Sequence, residues 1–301
     1  MSLAYPLYSE SACLIHIESF VLQSLRGELE GPPLRKQLSQ LIPAFWFHYR
    51  EQYEYAHVIQ AFRDSLMSLG IIESMTSLDA CDIDHFMMAL RTAYLELTDH
   101  DIQQHWLNEN HNTQTLRHGL HTVIQHYSRV LLVRVDLYFS AKAKVDMTIH
   151  RCHQYLQILL NRLSNRDGCF NHLHWWAWAL EQGPDRGYHI HLLLVYDGHR
   201  HQNDYFLGLE VGRYWRDILT GGEGEFYTSN QPQVKHRYAL MNRLGIGMIY
   251  RDNPVAVENA LNASAYLVSP EKETQMLRVK IPNMRTFGTA QFDVTRRRGV
   301  H

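Results

Sequence analysis

Apolar residues recur at helical spacing from residue 10 to about residue 127. SACLIHIESFVLQSLRGEL, PPLRKQLSQLIPAFWFHYREQYEYAHVIQAFRDSLMSLG and DIDHFMMALRTAYLELTDHDIQQHWLNEN all carry that period. Breaks are predicted at Gly31-Pro32-Pro33, Pro43 and Gly70, with Asp82 or Asp84 as a helix cap. At residue 129 the pattern changes. RVLLVRVDLYFS is rich in Val and Leu and reads as a strand. AKAKVDMTIHRCHQYLQILLNRLSN returns to the helical period, with Leu156, Leu159, Leu160 and Leu163 on one stripe. HLHWWAWALEQ and YHIHLLLVYD follow as two apolar strands. GPDRG between them holds the turn formers Gly183, Pro184, Asp185 and Gly187, so the pair is a hairpin. Next come a helix in NDYFLGLEVGRYWRDILT, a flexible loop in GGEGE and a strand in LGIGMIYRDN. A last helix, PVAVENALNASAYLVS, opens on Pro254. The order β-α-β-β-α-β-α predicts an α+β fold: a mainly antiparallel sheet packed with helices, preceded by an all-α part.

Composition adds a division of the chain rather than a function. Of 301 residues, 45% are apolar and 20% charged, which is ordinary globular content. There is no run of apolar residues long enough to cross a bilayer, so no membrane contact is expected. The first residues carry acids instead of a basic start and an apolar stretch, which predicts a cytoplasmic protein. Cys13, Cys81, Cys152 and Cys169 lie far apart and form no CxxC pair, which suits reduced thiols and not a zinc knuckle. The net charge of −2 hides an asymmetry. Residues 1–128 hold 7 Lys/Arg against 15 Asp/Glu, and residues 129–301 hold 22 against 16. Two modules are therefore expected, 1–128 helical and 129–301 sheet-based, with any phosphate-facing surface on the second.

The chemistry concentrates in EQGPDRGYHIH, Glu181 to His191. In a strand, residues i and i+2 share a face, so His189 and His191 point together and can bind one divalent ion. If the hairpin is symmetric about Asp185, Glu181 lies opposite His189, roughly 5 Å away between β-carbons. A one-residue slip would send Glu181 to the other face. The chain has two more His-x-His pairs, His172 with His174 and His199 with His201. The middle pair differs in lying inside an apolar strand with an acid across a tight turn. Asp136, in the preceding strand, either lines that site or sits at a solvated edge.

A hydrophobic strand, a helix, a strand ending in Glu, Gly-Tyr-His-Ile-His, and later a helix carrying Tyr-Leu together resemble the HUH superfamily of rolling-circle replication initiators and relaxases. More narrowly, RVDLYFS, WWAWALEQGPDRGYHIHLLL and ASAYLV resemble the prophage family named for the YagK/YfjJ C-terminal domain, which is similar to filamentous-phage replication proteins. The resemblance covers roughly residues 129–280 and implies an HUH-type endonuclease domain. It implies that Glu181, His189 and His191 hold Mg²⁺ or Mn²⁺ and that Tyr266 is the nucleophile toward single-stranded DNA at an origin or hairpin. Host replication proteins would then be further partners. The family places a lysine three residues after the tyrosine; here Ser269 stands there and Lys272 is the nearest lysine. The alternative for Tyr266 is a packed helix tyrosine, with Tyr250 in reserve as nucleophile. Arg134, Lys142, Lys144, Arg237, Arg243, Arg278, Lys280 and Arg285, with Arg296, Arg297 and Arg298, are candidates to follow phosphates. Trp175, Trp176, Trp178 and Trp215 either stack bases or fill the core. The rival readings are a non-catalytic DNA-binding relative and another metal-dependent nucleic-acid enzyme. A primase is disfavoured because only one acid lies around Asp136.

Overall fold

The computed structural model describes residues 9–71, 80–268 and 276–295. α1 (Glu10–Leu25) starts where the Ser9 hydroxyl accepts the Ala12 N–H. α2 (Gly31–His48) has prolines in its first turn, where a missing N–H costs nothing. It runs on through Pro43 instead of breaking there. β1 (Glu54–Tyr55) and α3 (His57–Ser68) follow. α4 (Ala80–His126) is 47 residues long, so Asp82 falls in its first turn and Asp84 inside it, and neither is the cap.

β2 (Arg129–Phe139) begins at the predicted change of period. The predicted helix after it is shorter than expected. A single 3-10 turn covers Ala143–Val145, and α5 (Ile149–Asn165) starts only where Thr148 caps it by accepting the Arg151 N–H. β3 (Leu173–Gly183) and β4 (Gly187–Asp197) form the hairpin. α6 (Asp204–Arg213) passes into a wider π turn at Tyr214–Leu219. GGEGE is only half a loop, because β5 (Gly224–Thr228) starts inside it. α7 (Pro232–Leu240), β6 (Gly247–Tyr250) and α8 (Pro254–Ala265) come next, then two short strands, β7 (Val279–Lys280) and β8 (Phe287–Thr289).

The main sheet is antiparallel, ordered β5-β2-β4-β3-β8, with β6 also on β2; β1 pairs with β7 separately. Strand alternation gives the sheet two unlike faces. One carries Leu131, Val133, Val135 and Leu137 of β2 with Ile190, Leu192 and Leu194 of β4. It is covered by Cys152, Leu156 and Leu159 of α5 and by Leu207 and Val211 of α6, in a cluster that continues through α1, α2 and α3. The acidic helical part thus shares a core with the sheet.

The opposite face has a smaller apolar cluster at one end only. Val130, Leu132, Ala177, Ala179, Leu193 and Val195 pack there under Leu116, Leu120 and Val123 of α4 and Val257, Ala260 and Leu261 of α8. At the hairpin-turn end of that face the side chains become polar. No helix among the described residues is long and apolar enough to cross a membrane.

Candidate metal centre

The register settles which residues meet. Glu181 pairs with His189, Ala179 with His191, and Asp136 of β2 with His191 on the other side. The hairpin is symmetric about Asp185, the register on which the sequence reading was conditional, and Gly187 holds a left-handed φ of 63° that a side chain would resist. Glu181, His189 and His191 each place a ligand atom within 4.8 Å of the others, the one such group among the described residues.

The hydrogen bonds orient both rings. A backbone carbonyl only accepts, so His189 donates its Nδ1–H to Gly187 O at 2.9 Å. Its Nε2 then faces Glu181 Oε2 at 3.5 Å. His191 donates Nδ1–H to Asp136 Oδ1 at 2.6 Å, and its Nε2 lies 3.0 Å from Glu181 Oε2. The rings stand 4.9 Å apart and perpendicular. Both histidines are buried. A neutral imidazole has one N–H, and Asp136 uses it. The second nitrogen of His191, aimed at a carboxylate, calls for a second proton or a cation in its place. Burial pushes the His191 ring toward neutrality, but the bonds to Asp136 and Glu181 outweigh it and raise its pKa above the ordinary histidine value. Two Nε2 atoms converging on a carboxylate, with both Nδ1 positions already satisfied, is a donor set that fits a divalent ion.

Asp136 is the junction of the site. Besides His191 it accepts from Arg186 Nη1 at 2.8 Å, and Arg134 Nε stands 3.9 Å away. Burial alone would favour the neutral carboxyl, yet the His191 bond and the two arginines hold it well below the usual carboxylate range. Arg186 also lies over the Tyr138 ring, 4.8 Å from its centroid. Sequence reasoning missed Arg186. Its position in the turn between the strands that carry Glu181, His189 and His191 was the available signal.

Tyr266 caps the C-terminal end of α8 and is 56% exposed. Leu267 and Val268, just after it, enter the apolar cluster that holds Ala179 and Leu193, so this end of α8 lies on the ligand-bearing face of the sheet. Tyr250 is exposed on β6, opposite Arg129. Lys272 and Arg296–Arg298 lie outside the described residues.

The remaining basic residues divide. Lys142, Arg237, Arg243 and Arg285 are exposed, and Lys280 is half-buried in β7. Lys144 donates to Asp185 O at 2.8 Å at the hairpin turn, beside Arg186. Arg278 points inward: it is 2% exposed and its guanidinium is spent on Glu18, Gln182 O and Met276 O. It pins β7 to α1 and β3 and has no face for a phosphate. Trp175, Trp178 and Trp215 are buried, so only Trp176 of the four keeps substantial exposure.

The fold and the site define an α+β protein with a His-His-Glu cluster of metal-binding geometry on a sheet face. The family model described as the YagK/YfjJ C-terminal domain matches residues 93–220 of the chain. The match starts inside α4 rather than at residue 129. It includes Asp136, Glu181, Arg186, His189 and His191 and ends before Tyr266. Searches of curated proteins and of solved structures found no match.

Proposed function

We propose that the chain is a metal-dependent endonuclease that nicks single-stranded DNA and stays joined to it through Tyr266, as a rolling-circle replication initiator does. The observation that carries this reading is the convergence of Glu181, His189 and His191 within 4.8 Å. Mg²⁺ or Mn²⁺ held there supplies Lewis-acid stabilisation of charge on a phosphate. The rest falls to the chain. Asp136 and Gly187 O fix the two rings, so each presents Nε2 without reorganisation. Arg134 has its buried Nε without a hydrogen-bond acceptor among the described residues, and with Arg186 it offers positive charge to the phosphate's other oxygens. The Tyr266 oxygen bonds to phosphorus as the bond from phosphorus to the 3′ oxygen breaks. The phenol proton passes to water and the 3′ oxygen takes one up, leaving a 5′-phosphotyrosine and a 3′-hydroxyl. Because the phosphodiester is exchanged and not hydrolysed, the same step reversed reseals the strand.

The test is incubation with labelled single-stranded DNA pools and Mn²⁺ on denaturing gels, beside Tyr266→Phe and His191→Ala. A covalent adduct in the wild type that both variants lose is the expected result. DNA bound without an adduct under any metal would make the chain a binding relative. Cleavage that survives Tyr266→Phe would transfer the nucleophile's role to Tyr250 or water.

A further inference from the structure

On the sheet face opposite the metal centre, a cavity of about 480 Å³ opens between α5 and the edge formed by β3 and β8. Its lining includes Trp176 and Trp178 of β3, Gln157 and His153 of α5, and Asn283 and Arg285 before β8. The volume lies in the usual range for small-ligand sites, roughly 300–1,000 Å³. No carboxylate lines it, and Arg285 gives it a net positive wall.

The cavity is built rather than incidental. Trp178 pairs with Gly288 of β8, and a β-carbon at 288 would come within 2.7 Å of the indole nitrogen. Glycine there lets the ring lie across the edge strand. The segment that brings Asn283 and Arg285 to the rim is held to β3 and closed on itself by a turn. Leu180 N–H donates to Thr286 O at 2.8 Å, and Met284 N–H to Ile281 O at 3.1 Å. Asn283 itself takes a left-handed φ of 61°, which an Asn tolerates at a turn. On the helix side, Gln157 Nε2 lies 3.0 Å from His153 Nε2, so its Oε1 is the atom left to address a ligand.

We infer that this cavity binds a nucleotide, with the base against Trp176, its edge read by Gln157 and Asn283, and the phosphate on Arg285. An indole surface accepts any flat base, amides match the mixed donors and acceptors of a base edge, and a lone cation without neighbouring acids selects an anion. The same chemistry serves a free nucleotide and one residue of a DNA strand passing over the β8 edge. The inference is independent of the metal centre, which lies on the other face.

Equilibrium dialysis in EDTA with dAMP, with deoxyadenosine and with a short oligo(dA) tests it, since no step then depends on metal or cleavage. Saturable one-to-one binding of dAMP or oligo(dA) is expected. Arg285→Ala and Trp176→Ala should each weaken it about tenfold or more, and Trp176→Phe should restore most of it, all three melting like the wild type. An oligonucleotide preferred over dAMP identifies a strand residue as the occupant; the reverse identifies a free nucleotide. Binding of neither, binding untouched by both alanine variants, or deoxyadenosine bound as tightly as dAMP overturns the inference.

Discussion

The hairpin of β3 and β4 carries histidines at both ends, and the two ends are put to different use. At the turn end, His189 and His191 lie inside a regular strand, share a face, and find Glu181 opposite. At the open end, His172 and His174 enter β3 where its register shifts, and His172 has a left-handed φ of 59°. His199 and His201 follow the end of β4. Alternation is lost there, so the same His-x-His spacing no longer directs two rings to one point. His174 instead stacks flat on Tyr127 at 3.7 Å, His201 lies edge-on to Tyr196, and His199 Nε2 meets Ser128 Oγ at 3.0 Å. Asp197, the acid at that end, accepts the His199 backbone N–H and stands 4.0 Å from His174 Nε2, but no second ring joins them in a metal-holding group among the described residues. A two-residue spacing has chemical meaning only where the backbone is extended and an acid is in register.

The largest expected effect comes from substituting one end against the other. His191→Ala or Glu181→Ala should lower Mn²⁺ affinity at least about 100-fold by calorimetry, since a ligand is removed outright. His174→Ala and His201→Ala should leave it within about twofold. Equal losses at both ends would erase the distinction.

A finer test leaves every ligand in place. Asp136→Asn keeps the shape but removes the charge that fixes the His191 tautomer, and metal affinity should fall about 10- to 100-fold. An unchanged affinity would reduce Asp136 to a packing residue. Tyr127→Leu acts only on the open end: losing the stack on His174 should cost about 1 kcal/mol in denaturant unfolding, with metal affinity retained.

The smallest effect concerns Glu10, which supports the turn end from behind. It is buried, and desolvation raises its pKa above the ordinary carboxyl value despite bonds from Tyr188 and Ile149. A carboxyl raised in the folded state contributes its full stability below the unfolded pKa and loses it as pH rises through the folded one. Glu10→Gln should therefore melt about 1–3 °C above the wild type at pH 8, the gap closing toward pH 4. A gap that widens in acid would reverse the sign assigned to Glu10.

Much of this was readable in the residues. The turn formers of GPDRG between two apolar runs gave the hairpin, its register stayed conditional on symmetry about Asp185, and helical periods placed α5 and α8. β5, β8, β1 and β7 were not readable, because strands of two to five residues gain their order from a neighbour and carry little period of their own. α7 buries none of its residues, so it has no apolar stripe to find. Arg278 was misjudged because charge alone does not reveal a buried partner, here Glu18 from 260 residues away. Arg186 was overlooked because a turn residue has no face until the turn is folded.

Glu10 also ties together two stretches that composition sets apart. Tyr188 donates to it at 2.7 Å, next to His189, and Gln182 reaches back to Ser11 O at 3.2 Å, next to Glu181. Residues flanking two members of the Glu181-His189-His191 cluster are thus anchored in α1. The front of the chain is therefore not a separable attachment. A new leading helix must bring an acceptor for Tyr188 and a partner for Gln182, or strand buried polar groups behind the histidines. Changing both members of a pair, 10 with 188 or 11 with 182, should therefore cost less stability than changing one alone.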